Sequence, residues 1–178
     1  MTSPYRVCFV CTGNICRSPI AESVFRARLT EAGLDGLVEV DSAGTDGWHE
    51  GDGADPRAVT VLDAHGYGSD HTARRFHASW FPRLDLVIAL DEGHLRELRR
   101  LAPTPEDAAK VRLLRSYDLS LGPAPDPSRG LSGEPSGGLG VPDPYYGGSA
   151  GFEECLEMVE AASEGLLATV RNAIEKAA

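Results

Sequence analysis

Cys11-Thr12-Gly13-Asn14-Ile15-Cys16-Arg17-Ser18 follows the apolar run Val7-Cys8-Phe9-Val10 and leads into a helical pattern opening Ser18-Pro19-Ile20-Ala21-Glu22. Strand, short loop and helix start is the arrangement that aims backbone N–H groups at an anion. This loop begins with a thiol and ends with a guanidinium and a hydroxyl. A nucleophile approaching a phosphate must be shielded from its negative charge. The loop amides from Thr12 onward and the first helical turn supply positive partial charge. Arg17 can hold two phosphate oxygens with a planar fork, which Lys cannot. The same field favours the thiolate of Cys11, because cysteines at helix starts beside cations ionise more readily than free thiols. Ser18 is placed to donate a hydrogen bond to that sulfur and improve it as a leaving group. Gly13 and Asn14 are the residues best suited to positive φ in so tight a ring.

The octet resembles the signature of the low-molecular-weight protein tyrosine phosphatases. Asp143-Pro144-Tyr145-Tyr146-Gly147, far downstream, matches that family's general-acid loop. A bare Cys-x5-Arg occurs by chance, but the octet and the downstream motif together are specific. The resemblance covers nearly the whole chain except the segment before Asp143. It implies a metal-independent hydrolase acting on phosphotyrosine and small aryl phosphates, with no cofactor. In that reading Cys11 becomes a phosphocysteine, Arg17 clamps the transferring group, and Asp143 first protonates the leaving oxygen and then activates water. Pro142 and Pro144 stiffen the loop around Asp143.

Thr12, Gly13, Asn14, Ile15, Cys16 and Ser18 belong to the phosphate-binding loop. The resemblance implies a hydrogen-bond network joining Asn14, Ser18, Ser42 and His71 that locks it, although His71 also reads as an ordinary surface histidine. Trp48, Tyr145 and Tyr146 are expected to wall a slot for a flat phosphoaryl ring. A deep slot admits phosphotyrosine and excludes the shorter phosphoserine. Asp91 reads equally well as an orienter of Arg17 and as a helix cap. Cys16 reads either as a packed helix-start residue or as a reversible disulfide partner protecting Cys11 from over-oxidation. His49, His65, His77 and His94 offer no pairing in the sequence.

The 178 residues fit one phosphatase domain over the whole chain, with 42% hydrophobic residues to build a core. The net charge of −10, with no basic block, argues against nucleic acid. It also predicts poor long-range steering of acidic substrates, so positive potential must be local. No apolar run reaches membrane-spanning length, and the amino terminus lacks a signal-peptide layout, so the expected location is the cytoplasm without membrane association. Partners are phosphotyrosine-containing proteins, and a monomer is favoured. Cys8 and Cys11 form Cys-x-x-Cys, but an extended strand separates them by ~10 Å, beyond the ~7 Å limit for a disulfide. Cys8 and Cys155 read as core residues, and a zinc site lacks a second ligand pair.

In chain order, strands are expected at 5–10, 36–41, 84–90 and 110–114. Helices are expected at 18–32, capped by Ser18 and stopped at Gly33, then at 55–65, from Asp91 to about 101, and at 149–175. Alternating strands and helices predict an α/β, three-layer parallel sheet with helices on both faces. The resemblance makes it flavodoxin-like, with strand order 2-1-3-4. Ligands in such sheets bind beyond the carboxyl edge at the switch point, so Ser42, Asp91 and Ser116 are expected near one edge. Ten of the 24 residues in 118–141 are Gly or Pro, which marks an insertion or a cover over the substrate entrance rather than core. The alternatives are a thioredoxin-coupled arsenate reductase, disfavoured by the shortage of downstream cysteines, and an inactive phosphate-binding module. A nucleotide-binding P-loop is disfavoured because Gly-Lys-Ser/Thr is missing.

Overall fold

A computed structural model describes residues 3–121 and 139–177. Most of the Gly/Pro-rich stretch expected as an insertion lies outside the described residues. Four strands, β1 (Tyr5–Cys11), β2 (Val38–Gly44), β3 (Leu86–Ala89) and β4 (Val111–Leu113), form one sheet in the order β2-β1-β3-β4. Every pairing is parallel. The helices are α1 (Arg17–Glu31), α2 (Pro56–Ala64), α3 (Glu92–Leu101), α4 (Pro105–Ala109) and α5 (Ser149–Ala177).

The period-two alternation of strand side chains builds two cores. Val7, Phe9, Leu86 and Ile88 face one way, against Phe25 of α1, Leu62 of α2 and Phe152 and Leu156 of α5. Cys8, Val10, Val87 and Ala89 face the other way, against Leu95 and Leu98 of α3 and Phe81 of a 3-10 turn at Ala78–Arg83. Burying each of these large apolar side chains contributes about 1.5–3 kcal/mol. Strand β1 is thus buried on both faces, which explains its uninterrupted apolar run. Helix α5 turns the stripe Phe152, Cys155, Leu156, Val159, Ala162, Leu166 and Val170 inward, as its spacing predicts.

Several boundaries differ from the sequence expectation for identifiable reasons. Helix α1 starts at Arg17, with Cys16 in the cap position and no side-chain cap bond. Ser18 is therefore inside the helix and not its cap. Strand β2 runs on to Gly44 because it pairs with β1 as far as Cys11, so Ser42 is a strand residue. Gly33 ends α1 with φ 72°, as expected. Asp91 caps α3 by accepting a hydrogen bond from the His94 N–H. The short helix α4 was not expected, although Thr104-Pro105-Glu106-Asp107 carries its start signal: Thr104 Oγ1 accepts from the Asp107 N–H.

The long helix α5 passes very close to the turn after β4. A Cβ placed on Gly165 would lie 1.9 Å from the Tyr117 carbonyl oxygen. We expect Gly165→Ala to destabilise the fold by about 1–3 kcal/mol through this clash, more than the ~1 kcal/mol that Ala gains in helix propensity. A drop in Tm of several degrees checks it; an unchanged or raised Tm would contradict the close packing.

Candidate active site

The loop between β1 and α1 curls so that its two ends meet. The Cys11 sulfur lies 3.0 Å from Ser18 Oγ and accepts the Ser18 backbone N–H at 3.4 Å. Burial of Ser18 within the helix start, in place of a cap role, is what brings its hydroxyl to the sulfur. Asn14 takes φ 58°, the one positive φ outside glycine among the described residues. Gly13 was expected to share that conformation and does not. Its lack of a side chain serves close packing instead, since a Cβ there would sit 3.0 Å from His49 Cδ2.

Asn14 is fully buried and its side chain is shared among three partners. Nδ2 donates to Ser18 Oγ at 2.8 Å and to Ser42 Oγ at 3.0 Å, while Oδ1 accepts the Arg74 N–H at 2.9 Å. His71 Nε2 lies 2.6 Å from the Asn14 carbonyl oxygen. Ser42 Oγ in turn donates to Glu22 Oε1 at 2.7 Å. The four residues named from the resemblance therefore meet, with Glu22 and Arg74 completing the set. A second brace comes from β2. The Thr45 and Asp46 N–H groups donate to the carbonyls of Cys11 and Thr12, and a Cβ on Gly44 would lie 2.5 Å from the Thr12 oxygen.

Arg17 is buried and anchored from β3 and from the segment before α5. Its Nη1 donates to Asp91 Oδ2 at 2.7 Å and to the Val141 carbonyl at 3.0 Å, while Nη2 lies 3.6 Å from Asp143 Oδ2. Burial opposes its charge, but attraction to the Cys11 sulfur, Asp91 and Asp143 outweighs burial and raises its pKa. Asp91 thus both caps α3 and orients Arg17. Burial works against its ionisation too, and the His94 ring and N–H with Arg17 overcome it, so its pKa is lowered.

Asp143 stands across the cleft on its own turn, where Oδ1 accepts the Tyr145 N–H at 3.0 Å. The cleft between these parts has a volume of about 290 Å³ and is lined by Cys11, Thr12, Gly13, Ile15, Cys16, Arg17, Asp46, Trp48, His49, Asp143, Tyr145 and Tyr146. Trp48 and Tyr146 are 86% and 89% exposed and stand at its mouth, whereas Tyr145 is 40% exposed and packs edge-on against Tyr146. Ser116 is not among the lining residues; its hydroxyl donates back to the Leu113 carbonyl. All four cysteines are free and buried. Burial first, then Asp55 and Cys11, pushes the Cys16 thiol well up. Burial chiefly raises Cys8 and lifts Cys155 to about 12. Among the described residues no cluster of His, Cys, Asp and Glu is arranged to hold a metal ion, and no helix is long and apolar enough to cross a membrane.

One site neighbour, His94, offers no pairing in the sequence and gains its partner only in the fold. It is buried, with Nε2 2.8 Å from Thr12 Oγ1, and Nδ1 3.2 Å from Asp91 Oδ1 at an angle that makes no hydrogen bond. Its only sequence signal was its place three residues after a capping Asp at the end of a buried strand.

Comparison with known proteins places this architecture. The family described as low molecular weight phosphotyrosine protein phosphatase matches residues 6–176. A low molecular weight protein-tyrosine-phosphatase of Streptomyces coelicolor is 69% identical over 171 residues, covering 96% of each chain. The low molecular weight protein-tyrosine phosphatase A of Mycobacterium tuberculosis is 46% identical over 166 residues, covering 93% of this chain and 91% of its own. Among solved structures, a protein tyrosine phosphatase from Entamoeba histolytica superposes with a TM-score of 0.82 at 31% identity, over 95% of this chain and 98% of that one.

The burial of His94 has a measurable consequence. Burial, reinforced by Arg17 against the opposing pull of Asp91 and Asp143, lowers its pKa from 6.5 to about 4. Between those values the unfolded chain binds a proton that the fold refuses, so this residue costs stability as the pH falls through that window. The full effect is at most about 3 kcal/mol. We expect the wild type to lose stability relative to His94→Gln between pH 6.5 and 4, measured by urea unfolding. A difference independent of pH would contradict the neutral, buried ring.

Proposed function

Because the chain belongs to the low molecular weight phosphotyrosine protein phosphatase family, we propose that it hydrolyses phosphotyrosine in proteins, and small aryl phosphates, through a phosphocysteine on Cys11. The observation that carries this reading is the placement of the Cys11 sulfur. It lies within 3.0 Å of Ser18 Oγ on the floor of a cleft that also holds Arg17 and Asp143.

In the first step the Cys11 sulfur attacks phosphorus and the bond from phosphorus to the aryl oxygen breaks. Asp143, as the carboxylic acid, gives its proton to the departing oxygen. Arg17 and the loop N–H groups from Thr12 to Ser18 hold the phosphoryl oxygens, so the charge that spreads onto them is met by fixed donors. In the second step the Asp143 carboxylate takes a proton from water, the water oxygen attacks phosphorus, and the phosphorus–sulfur bond breaks. Ser18 Oγ hydrogen-bonds the sulfur as it leaves. Asn14, Ser42 and His71 hold the ring. Charge neutralisation rests on Arg17 and the amides, so the reaction needs no metal.

Trp48, Tyr145 and Tyr146 form the aromatic mouth through which the phosphoaryl ring enters. A phosphoserine side chain is too short to bring its phosphorus to the sulfur while its backbone stays outside. The chain works as one phosphatase domain, and the family match across residues 6–176 supports that extent.

Turnover of an aryl phosphate is expected to persist in excess chelator and to be inhibited competitively by vanadate. Cys11→Ser should abolish turnover while phosphate still binds. Asp143→Ala should lower kcat/KM by about 10²–10⁴-fold for esters of weakly acidic phenols and far less for good leaving groups. Phosphotyrosine peptides should be cleaved and phosphoserine peptides spared, with no arsenate reduced. Substantial activity in Cys11→Ser would overturn the mechanism.

A further inference from the structure

The segment bearing Asp143 is tied down on two sides. On its amino side, Val141 accepts from Arg17 and its N–H donates to the Leu90 carbonyl, while Gly140 accepts from Arg115. On its carboxyl side the tie is Arg57, a residue outside the loop that binds phosphate. Arg57 Nη1 donates to the Gly147 carbonyl at 3.1 Å. Its guanidinium also lies 5.4 Å from the Tyr145 ring centre and 4.7 Å from that of Phe152 on α5.

The other edge of the same guanidinium is held by Asp55, the cap of α2. Nε donates to Asp55 Oδ1 at 3.1 Å and Nη2 to Oδ2 at 3.0 Å, a two-pronged pairing. The hydrogen bonds from Arg57 lower the Asp55 pKa and keep the carboxylate charged. Asp55 is buried, and its backbone N–H donates to the Ile15 carbonyl at 2.8 Å. One continuous set of contacts therefore runs from Ile15, in the loop around the sulfur, through Asp55 and Arg57, to Tyr145 and Gly147. Tyr145 is the residue whose N–H holds the Asp143 carboxylate.

We propose that Arg57, locked by Asp55, is a positioning residue that sets the distance between the Asp143 carboxyl and the loop holding the phosphoryl group. The inference rests on the reading of Asp143 as acid and base. Arg57 is not among the residues that line the cleft. It acts on the proton-transfer partner and leaves the anion ring intact. Proton transfer tolerates little error in position, since a misplacement near 1 Å costs about 10²-fold. Its loss is therefore felt in proportion to how much help the leaving group needs.

The test compares kcat/KM for phosphotyrosine and phenyl phosphate with that for 2,4-dinitrophenyl phosphate, whose phenolate leaves without a proton. Arg57→Met keeps an unbranched apolar stem between Tyr145 and Phe152 and removes the fork. We expect it to lower kcat/KM about 10-fold or more for the first two esters, to leave the dinitrophenyl ester near wild type, and to leave vanadate inhibition unchanged. Asp55→Asn keeps the helix cap, because Asn caps as well as Asp, and loses the charged pairing. It should show the same selectivity to a smaller degree, and it decides the matter if Arg57→Met does not fold.

An equal loss on all three esters, a weakened vanadate inhibition, or no loss at all would overturn the inference. Asp143→Asn separates the two levels of the argument. If Asp143→Asn discriminates between leaving groups and Arg57→Met does not, this inference alone fails. If Asp143→Asn does not discriminate, the acid–base reading fails and the inference with it.

Discussion

An eight-residue loop can present its amides to an anion only if its own polar side chains are satisfied somewhere else. That constraint falls on Asn14. It sits fully buried at φ 58°, a conformation disfavoured for most residues, and donates to two serines while accepting from Arg74. Leaving such a side chain unpaired would cost about 1–3 kcal/mol per lost partner. Its bonds therefore fix the loop from behind, on the side away from the cleft. The sulfur, Ser18 and the start of α1 hold their positions because Asn14 holds its own.

The rest of the sheet edge is arranged around that ring. Strand β1 delivers Cys11, β2 delivers Ser42 and the close backbone passage at Gly44, and β3 delivers Asp91 beside Arg17. Parallel strands put all three at one edge, where strand order reverses on either side of β1. The charge there is local. Arg17 is matched by Asp91 and Asp143, and His94 stays neutral at ordinary pH because burial and Arg17 outweigh the pull of those two carboxylates. A chain with net charge −10 thus brings one guanidinium and a loop of amides to the cleft without a basic block in its sequence.

The sequence carried the sheet well and the site unevenly. The β1 run, the octet and the Asp143 motif point to the strand, the ring and the carboxyl that faces it, because each is a local pattern with local chemistry. Ser18 was misplaced as a cap, since a Ser-Pro pair at a helix start usually is one; here the long-range pull of the Cys11 sulfur and Asn14 decides its position. By sequence Gly13 and Asn14 suit a positive φ equally; in the fold only Asn14 takes it, and Gly13 is small because His49 packs against it. His94, Asp55 and Arg57 gave no usable signal. Asp55 and Arg57 pair locally, but the contacts that tie these residues to the site are distant, Thr12 for His94, Ile15 for Asp55 and Gly147 for Arg57, and only the packed fold makes them.

In the proposed mechanism the encircled sulfur takes the phosphoryl group covalently. Rapid denaturing quench of the wild type during turnover of an aryl phosphate, followed by peptide mass mapping, tests it most directly. One phosphoryl group is expected on the sulfur of Cys11, appearing within the first turnover and lost as phosphate is released. Product formation without a phosphorylated Cys11, or a phosphoryl group found on another side chain, would contradict it.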